Sequence, residues 1–171
     1  MARKARPNNR TTLRYISPDD SAIGVPSDTP EFQAAWKTYN DTFDESVLKI
    51  DPEKAPGWYY IRPITLDAQT KFFEALADDD TSSLFVKAFS PSLRHIIYEF
   101  VDRFVIGCAR HEEVTQINSG GEMVTQEFTW EVGSPRPEGL VESIMADQGL
   151  TFNLFMFAVN ASRLSDREKK L

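Results

Sequence analysis

One apolar pattern constrains this chain more than any other feature of its sequence. Between residues 91 and 110, apolar or small side chains recur at every fourth position: Ile96, Phe100, Phe104 and Cys108. Charged residues such as Arg94, Glu99 and Asp102 lie on the opposite side. This spacing is typical of a helix with one wide apolar face. We therefore predict a helix from 91 to about 110 that buries four residues of this face: Ile97, Phe100, Val101 and Phe104.

The period of the pattern changes after that helix. From 112 to 132 neighbouring residues alternate in character, as they do along a strand with two different faces. The run Asn118-Ser119-Gly120-Gly121 interrupts the alternation and is typical of a tight turn. The sequence therefore predicts a β-hairpin over 112–132.

Weaker patterns predict the secondary structure of the rest of the chain. We expect short strands at 12–16, 47–50 and 58–61, and helices at 30–40, from Thr65 to about 77, at 84–89, 137–147 and 150–164. A length of 171 residues fits one domain. The prediction is an α+β fold that is mainly α. A single helical domain over 30–171 would carry a small β-hairpin or sheet portion, preceded by an N-terminal arm and loop over 1–29.

Charge is distributed unevenly along the chain. The net charge is -7, yet the first 14 residues carry five basic side chains and no acidic one: Arg3, Lys4, Arg6, Arg10 and Arg14. The remaining residues sum to -12, and such an acidic body is a poor partner for nucleic acid. Residues 1–11 are expected to form a flexible basic arm. The arm is either a solubilising tail or a contact for a phosphate or an acidic protein surface, through Arg3, Lys4, Arg6 and Arg10.

The residue types that carry catalysis or bind metal are sparse. Cys108 and His111 have a spacing that could supply half of a zinc site, but the chain offers no second pair of cysteine or histidine ligands. The run Asp78-Asp79-Asp80 lacks the alternation of a calcium loop, and no glycine-rich phosphate loop is present. No apolar run reaches the roughly 18 residues of a membrane helix. We expect a cytoplasmic protein that is not an enzyme and has no metal, cofactor or membrane partner.

The last predicted helix is apolar on two sides. Over 150–161 one side carries Leu154, Phe157, Ala158 and Ala161, and the other carries Phe152, Phe155, Met156 and Val159. A surface helix would show a wide polar face instead. The helix is therefore either central in the core, or buried on one side and bound to a partner on the other. For the second case we assign partner binding to Phe152, Phe155, Met156 and Val159.

The order of elements over residues 58–170 resembles the tail assembly chaperones of long-tailed bacteriophages. The stretch WYYIRPIT leads into LDAQTKFFEALADD, and the apolar LRHIIYEFVDRFVIGCA follows. After the hairpin-like VTQINSGGEMVTQEFTW come EGLVESIMADQGL and TFNLFMFAVNASRLSDREKK, which finishes with charged residues. The N-terminal 57 residues depart from the usual short start of that family.

The resemblance implies a non-enzymatic assembly factor. Such chaperones bind the long, apolar, helical tape measure protein while the tail tube forms, so the expected location is the host cytoplasm. The alternative is a virion structural protein, such as a minor capsid, connector or tail component, whose arm contacts neighbouring subunits. Both interpretations imply phage tail or virion proteins as partners, and they leave the formation of homo-oligomers open.

Overall fold

The computed structural model describes residues 12–77 and 91–169. Within them lie four strands: β1 (Leu13–Ile16), β2 (Trp58–Ile61), β3 (Val105–Ile117) and β4 (Met123–Trp130). The helices of the described residues are α1 (Pro30–Thr42), α2 (Leu66–Ala77), α3 (Pro91–Phe104), α4 (Leu140–Ala146) and α5 (Gln148–Lys169). A 3-10 helix, Glu45–Leu48, follows α1.

The strands form one antiparallel sheet in the order β1-β2-β3-β4. The prediction of a mainly α fold with a small β portion was wrong, because this sheet joins the N-terminal strand to the middle of the chain. The fold is α+β, and β3 alone runs for 13 residues. Its first six residues belong to the segment that we predicted as helix.

The predicted helix from 91 to 110 is correct only as far as Phe104, where α3 ends and β3 begins at once. Val105 and Ile106 are β-branched and Gly107 is a weak helix former, so local propensity opposes continuation of the helix. Gly107 also lies against the neighbouring strands, where an added Cβ would be 2.9 Å from the carbonyl oxygen of Trp130. Ile97, Phe100 and Val101 are buried as predicted, whereas Phe104 is only partly buried.

Helix α5 lies at the centre of the core. The ring of Phe157 contacts Tyr15 of β1 at 5.2 Å between centroids and Tyr39 of α1 at 5.4 Å. The ring of Phe155 meets Phe100 of α3 edge-on at 5.0 Å. Aromatic pairs in such edge-to-face geometry add to the free energy gained from burial. The helix is therefore packed by neighbours on more than one side.

The folded domain begins earlier than residue 30. Strand β1 contributes Leu13, Tyr15 and Ile16 to the core, so part of the predicted arm and loop over 1–29 belongs to the fold. Arg14, which we counted with the basic arm, forms an ion pair with Glu45 and lies 4.5 Å above the ring of Trp58. Residues 1–11, with the predicted arm contacts Arg3, Lys4, Arg6 and Arg10, lie outside the described residues.

Most other element boundaries follow local signals. Helix α1 starts after Thr29, whose Oγ1 accepts a hydrogen bond of 3.1 Å from the backbone N–H of Phe32. The predicted strand at 47–50 was wrong, because Asp44 caps a 3-10 helix there by accepting from the N–H of Ser46. The predicted helix at 84–89 and the run Asp78-Asp79-Asp80 fall outside the described residues.

Candidate functional site

The hairpin of β3 and β4 projects beyond the rest of the sheet. Strand β2 pairs with β3 only from Val105 to Ala109. From His111 to Ile117, β3 has only β4 as a neighbour within the described part of the chain. Every residue from Val114 to Glu127 is exposed. The distal part of the hairpin is therefore a two-stranded ribbon with both faces open to solvent.

Hydrogen bonds within the turn give this ribbon a defined end. The side-chain Oδ1 of Asn118 accepts from the backbone N–H groups of Gly120 and Glu122, at 3.1 and 2.9 Å. The backbone N–H of Asn118 donates to the carbonyl of Glu122, and Gly121 adopts a φ of 80°, which favours glycine. The turn predicted from Asn118-Ser119-Gly120-Gly121 is thus confirmed.

One face of the ribbon carries apolar side chains that no neighbour within residues 12–77 and 91–169 covers. Ile117 and Met123 lie directly opposite each other and are 71% and 67% exposed. Val114 lies on the same face, opposite Thr125, and is also exposed. Val124 is exposed on the other face. A contiguous exposed apolar patch on an ordered element is typical of a protein interaction site.

The same ribbon is acidic. Between Arg110 and Glu131 the chain has five glutamates and a single arginine, which gives a net charge of -4. Glu112 and Glu127 form a cross-strand pair on the face that carries Ile117 and Met123. Nε of Arg110 lies 3.3 Å from Oε2 of Glu127, and Nη1 donates a hydrogen bond of 2.7 Å to the carbonyl oxygen of Ala55. These contacts hold the base of the ribbon against the body. The surface therefore combines apolar contact area with negative charge.

A buried chain of polar groups anchors the hairpin to the helices. The hydroxyl of Tyr59 lies 2.7 Å from Nδ1 of His111, and Nε2 of His111 lies 2.7 Å from Oγ of Ser143 on α4. The ring of His111 also lies beside Phe128 of β4, at 6.1 Å between centroids. Burial lowers the pKa of His111 and raises the pKa of Tyr59, so both groups favour their neutral forms.

This Tyr59–His111–Ser143 chain contains residue types that serve as nucleophile and base in enzymes. Its groups are buried, however, so a substrate cannot reach them. Ser143 is 5% exposed and His111 is 3% exposed. A serine nucleophile must reach a reacting carbonyl, and a buried hydroxyl does not. The arrangement satisfies buried polar groups and ties β3 to α4. Sequence analysis missed it, although the alternation that places His111 and Phe128 on the inner face was visible.

The Cys108–His111 pair is not arranged as half of a metal site. Both ring nitrogens of His111 have hydrogen-bond partners, and Sγ of Cys108 lies 3.7 Å from the carbonyl of Phe128. Burial raises the pKa of the Cys108 thiol, which favours the protonated form over the metal-binding thiolate. Within residues 12–77 and 91–169, no group of three or more histidine, cysteine or acidic side chains could hold a metal ion.

The partner-binding residues predicted on the last helix do not form a surface. Phe155 is 2% exposed and Val159 is equally buried, whereas Phe152 and Met156 are half-buried. The opposite side, with Leu154, Phe157, Ala158 and Ala161, is also fully buried. The assignment of docking to Phe155 and Val159 was therefore wrong. The two-sided apolar pattern arises because α5 is enclosed by α1, α3 and the sheet.

No helix in the described ranges is long and apolar enough to cross a membrane. No protein-family model, curated protein or solved structure matches this chain.

Proposed function

We propose that this protein is a non-enzymatic assembly factor, a bacteriophage tail assembly chaperone that binds other proteins through the β3–β4 hairpin. The observation that supports the proposal is the pair Ile117 and Met123, which an ordered ribbon holds in solvent on an acidic body. The order of elements over 58–170 supports the same role. The client would be the apolar, helical tape measure protein, bound in the host cytoplasm.

The physical chemistry of the ribbon suits such a client. A chaperone for an aggregation-prone helix needs apolar contact area on a body that stays dispersed in water. Ile117, Met123 and Val114 supply the contact area, and methionine adapts to irregular apolar surfaces. The glutamates around them keep the free hairpin hydrated and disfavour pairing between identical hairpins. We therefore assign partner binding to the hairpin instead of to the last helix.

The test is capture of the tape measure protein of the same phage. We expect the wild-type chain, co-expressed with that protein, to retain it in soluble form and to co-purify with it. Ile117→Asp should reduce the retained amount at least tenfold, because it places a charge in the apolar contact. Leu66→Asp is the matched control, since Leu66 is exposed to 68% on α2, outside the hairpin. Equal retention by both variants would contradict the role of the hairpin.

A second candidate function is that of a virion structural protein. The observation that favours it is the shape of the hairpin, a long ribbon whose outer edges pair with no strand of the described residues. Such edges can add to the sheet of a neighbouring subunit. Mass spectrometry of purified particles separates the two candidates. A chaperone should be absent from the mature virion, whereas a structural protein should be present at a fixed copy number.

A further inference from the structure

The ribbon and the segment that precedes β1 carry opposite charges of equal size. The ribbon from Arg110 to Glu131 has a net charge of -4. Residues 1–12 contain three arginines, one lysine and no acidic residue, a charge of +4 from side chains. Charges of opposite sign at this density attract over about one Debye length, roughly 10 Å in 0.1 M salt.

The sheet limits which of these basic residues can reach the ribbon of the same chain. Leu13 pairs with Ile61, which pairs with Val105, so the N-terminal segment leaves the sheet where β3 begins. Glu112 lies seven positions farther along β3, about 23 Å away, and two strands across, about 10 Å. Arg10, three residues before Leu13, lies within about 11 Å of it. Arg10 therefore falls short of Glu112 in its own chain, whereas Arg3 and Lys4 are far enough from Leu13 along the chain to reach it. A contact that uses Lys4, Arg6 and Arg10 together requires a second copy.

The spacing of the basic residues fits the carboxylates on the ribbon of another copy. In an extended strand Lys4, Arg6 and Arg10 all lie on the same side, because their positions differ by even numbers. The cross-strand pair Glu112 and Glu127 offers two carboxylates on one face of the ribbon. Beyond Ala109 the edge of β3 that faces β2 has no strand partner among the described residues, and neither has the outer edge of β4. These edges can accept an added strand.

We propose that the hairpin of one copy binds the basic N-terminal segment of a second copy. This inference rests on the proposed role of the hairpin as a protein-binding surface. Because the two contact surfaces differ, the contact is head-to-tail and produces a ring or an open chain of subunits instead of a closed two-fold dimer. The acidic charge of the ribbon also explains the choice of occupant, since two hairpins would repel each other.

Sedimentation of the purified full-length chain tests this contact without any client protein. The wild type should self-associate below about 100 µM at low salt. Association should weaken at least tenfold between about 50 and 500 mM NaCl, since screening by salt weakens exposed charge pairs. Two variants should each be monomeric: an arm variant with Lys4→Gln, Arg6→Gln and Arg10→Gln, and a ribbon variant with Glu112→Gln and Glu127→Gln.

Mixing the two variants gives the sharpest result. The arm variant still offers an intact ribbon and the ribbon variant an intact arm, so the mixture should form one-to-one dimers that grow no further. Glu31→Gln with Glu74→Gln is the matched control, which removes two exposed acids outside the hairpin and should leave association unchanged. A monomeric wild type, or association that survives in the arm variant, would overturn the inference. Neither result would affect capture of the tape measure protein.

Discussion

At the scale of single residues, the fold opposes the charged form of His111. Its ring is buried between Tyr59, Ser143 and Phe128, and burial lowers its pKa from the usual value near 6.5. Glu113 and Asp147 act in the opposite direction but have the smaller effect. The unfolded chain therefore binds a proton on this residue more readily than the folded chain does.

The first prediction follows from the sign of that difference. As the pH falls below about 6.5, the unfolded state gains protons first, so the free energy of unfolding should decrease until the folded-state pKa is passed. In His111→Gln this part of the pH dependence should vanish, although stability at pH 8 should also drop by roughly 1–3 kcal/mol through lost hydrogen bonds. Urea unfolding between pH 8 and 5 measures both effects. His95→Gln, at an exposed position on α3, is the control for the removal of a histidine.

The second prediction at this scale concerns Gly107. A Cβ at this position would lie 2.9 Å from the carbonyl oxygen of Trp130 and 3.1 Å from the ring of Tyr60. Gly107→Ala should therefore reduce the free energy of unfolding by roughly 1–3 kcal/mol, because the backbone at Trp130 and the ring of Tyr60 must move. Gly120→Ala is the control, since its nearest contact is the terminal oxygen of Asn118 at 3.5 Å. Equal stability of the two variants would show that the sheet is looser around Gly107 than the structure indicates.

At the scale of elements, the boundary between α3 and β3 shows what the sequence could and could not predict. Periodicity correctly located α3, β2 and the turn at Asn118–Gly121, because their local patterns are strong. It failed from Val105 to Arg110, where a row of apolar residues fits either a helix or a buried strand. Pairing with β2, whose residues lie 44 to 51 positions earlier in the chain than their partners, decides the outcome there. The exposed apolar face of the hairpin was missed because alternation does not tell which face a neighbour covers.

The third prediction compares the effect on stability of a charge in the buried helix α5 with that of a charge in the exposed hairpin. Phe155→Asp should unfold the chain, or cost several kcal/mol, because it buries a carboxylate against Phe100. Ile117→Asp should leave the thermal midpoint within a few degrees of the wild type, because the side chain is already in solvent. Circular dichroism and thermal unfolding of both variants test this prediction. A folded Phe155→Asp protein would reopen the interpretation of α5 as a docking helix.

At the scale of the whole molecule, a compact body carries an extension that adds little to its core. Phe128 and His111 mark the last buried pair of the hairpin, and all side chains from Val114 to Glu127 lie in solvent. An exposed ribbon of this length has a conformational cost without a matching gain from burial. A contact with another protein therefore explains the ribbon better than the stability of the fold does.

The fourth prediction removes this extension. Glu113 and Gln126 lie directly opposite each other, so an Asn-Gly turn can replace Val114–Thr125 and close the hairpin between them. The shortened chain should fold with a thermal midpoint within about 5 °C of the wild type, because no buried side chain is removed. It should also lose capture of the tape measure protein, because Ile117 and Met123 are deleted, whereas the pair Glu112 and Glu127 remains available for self-association. A shortened chain that folds and still captures the tape measure protein would place the client-binding surface elsewhere on the body.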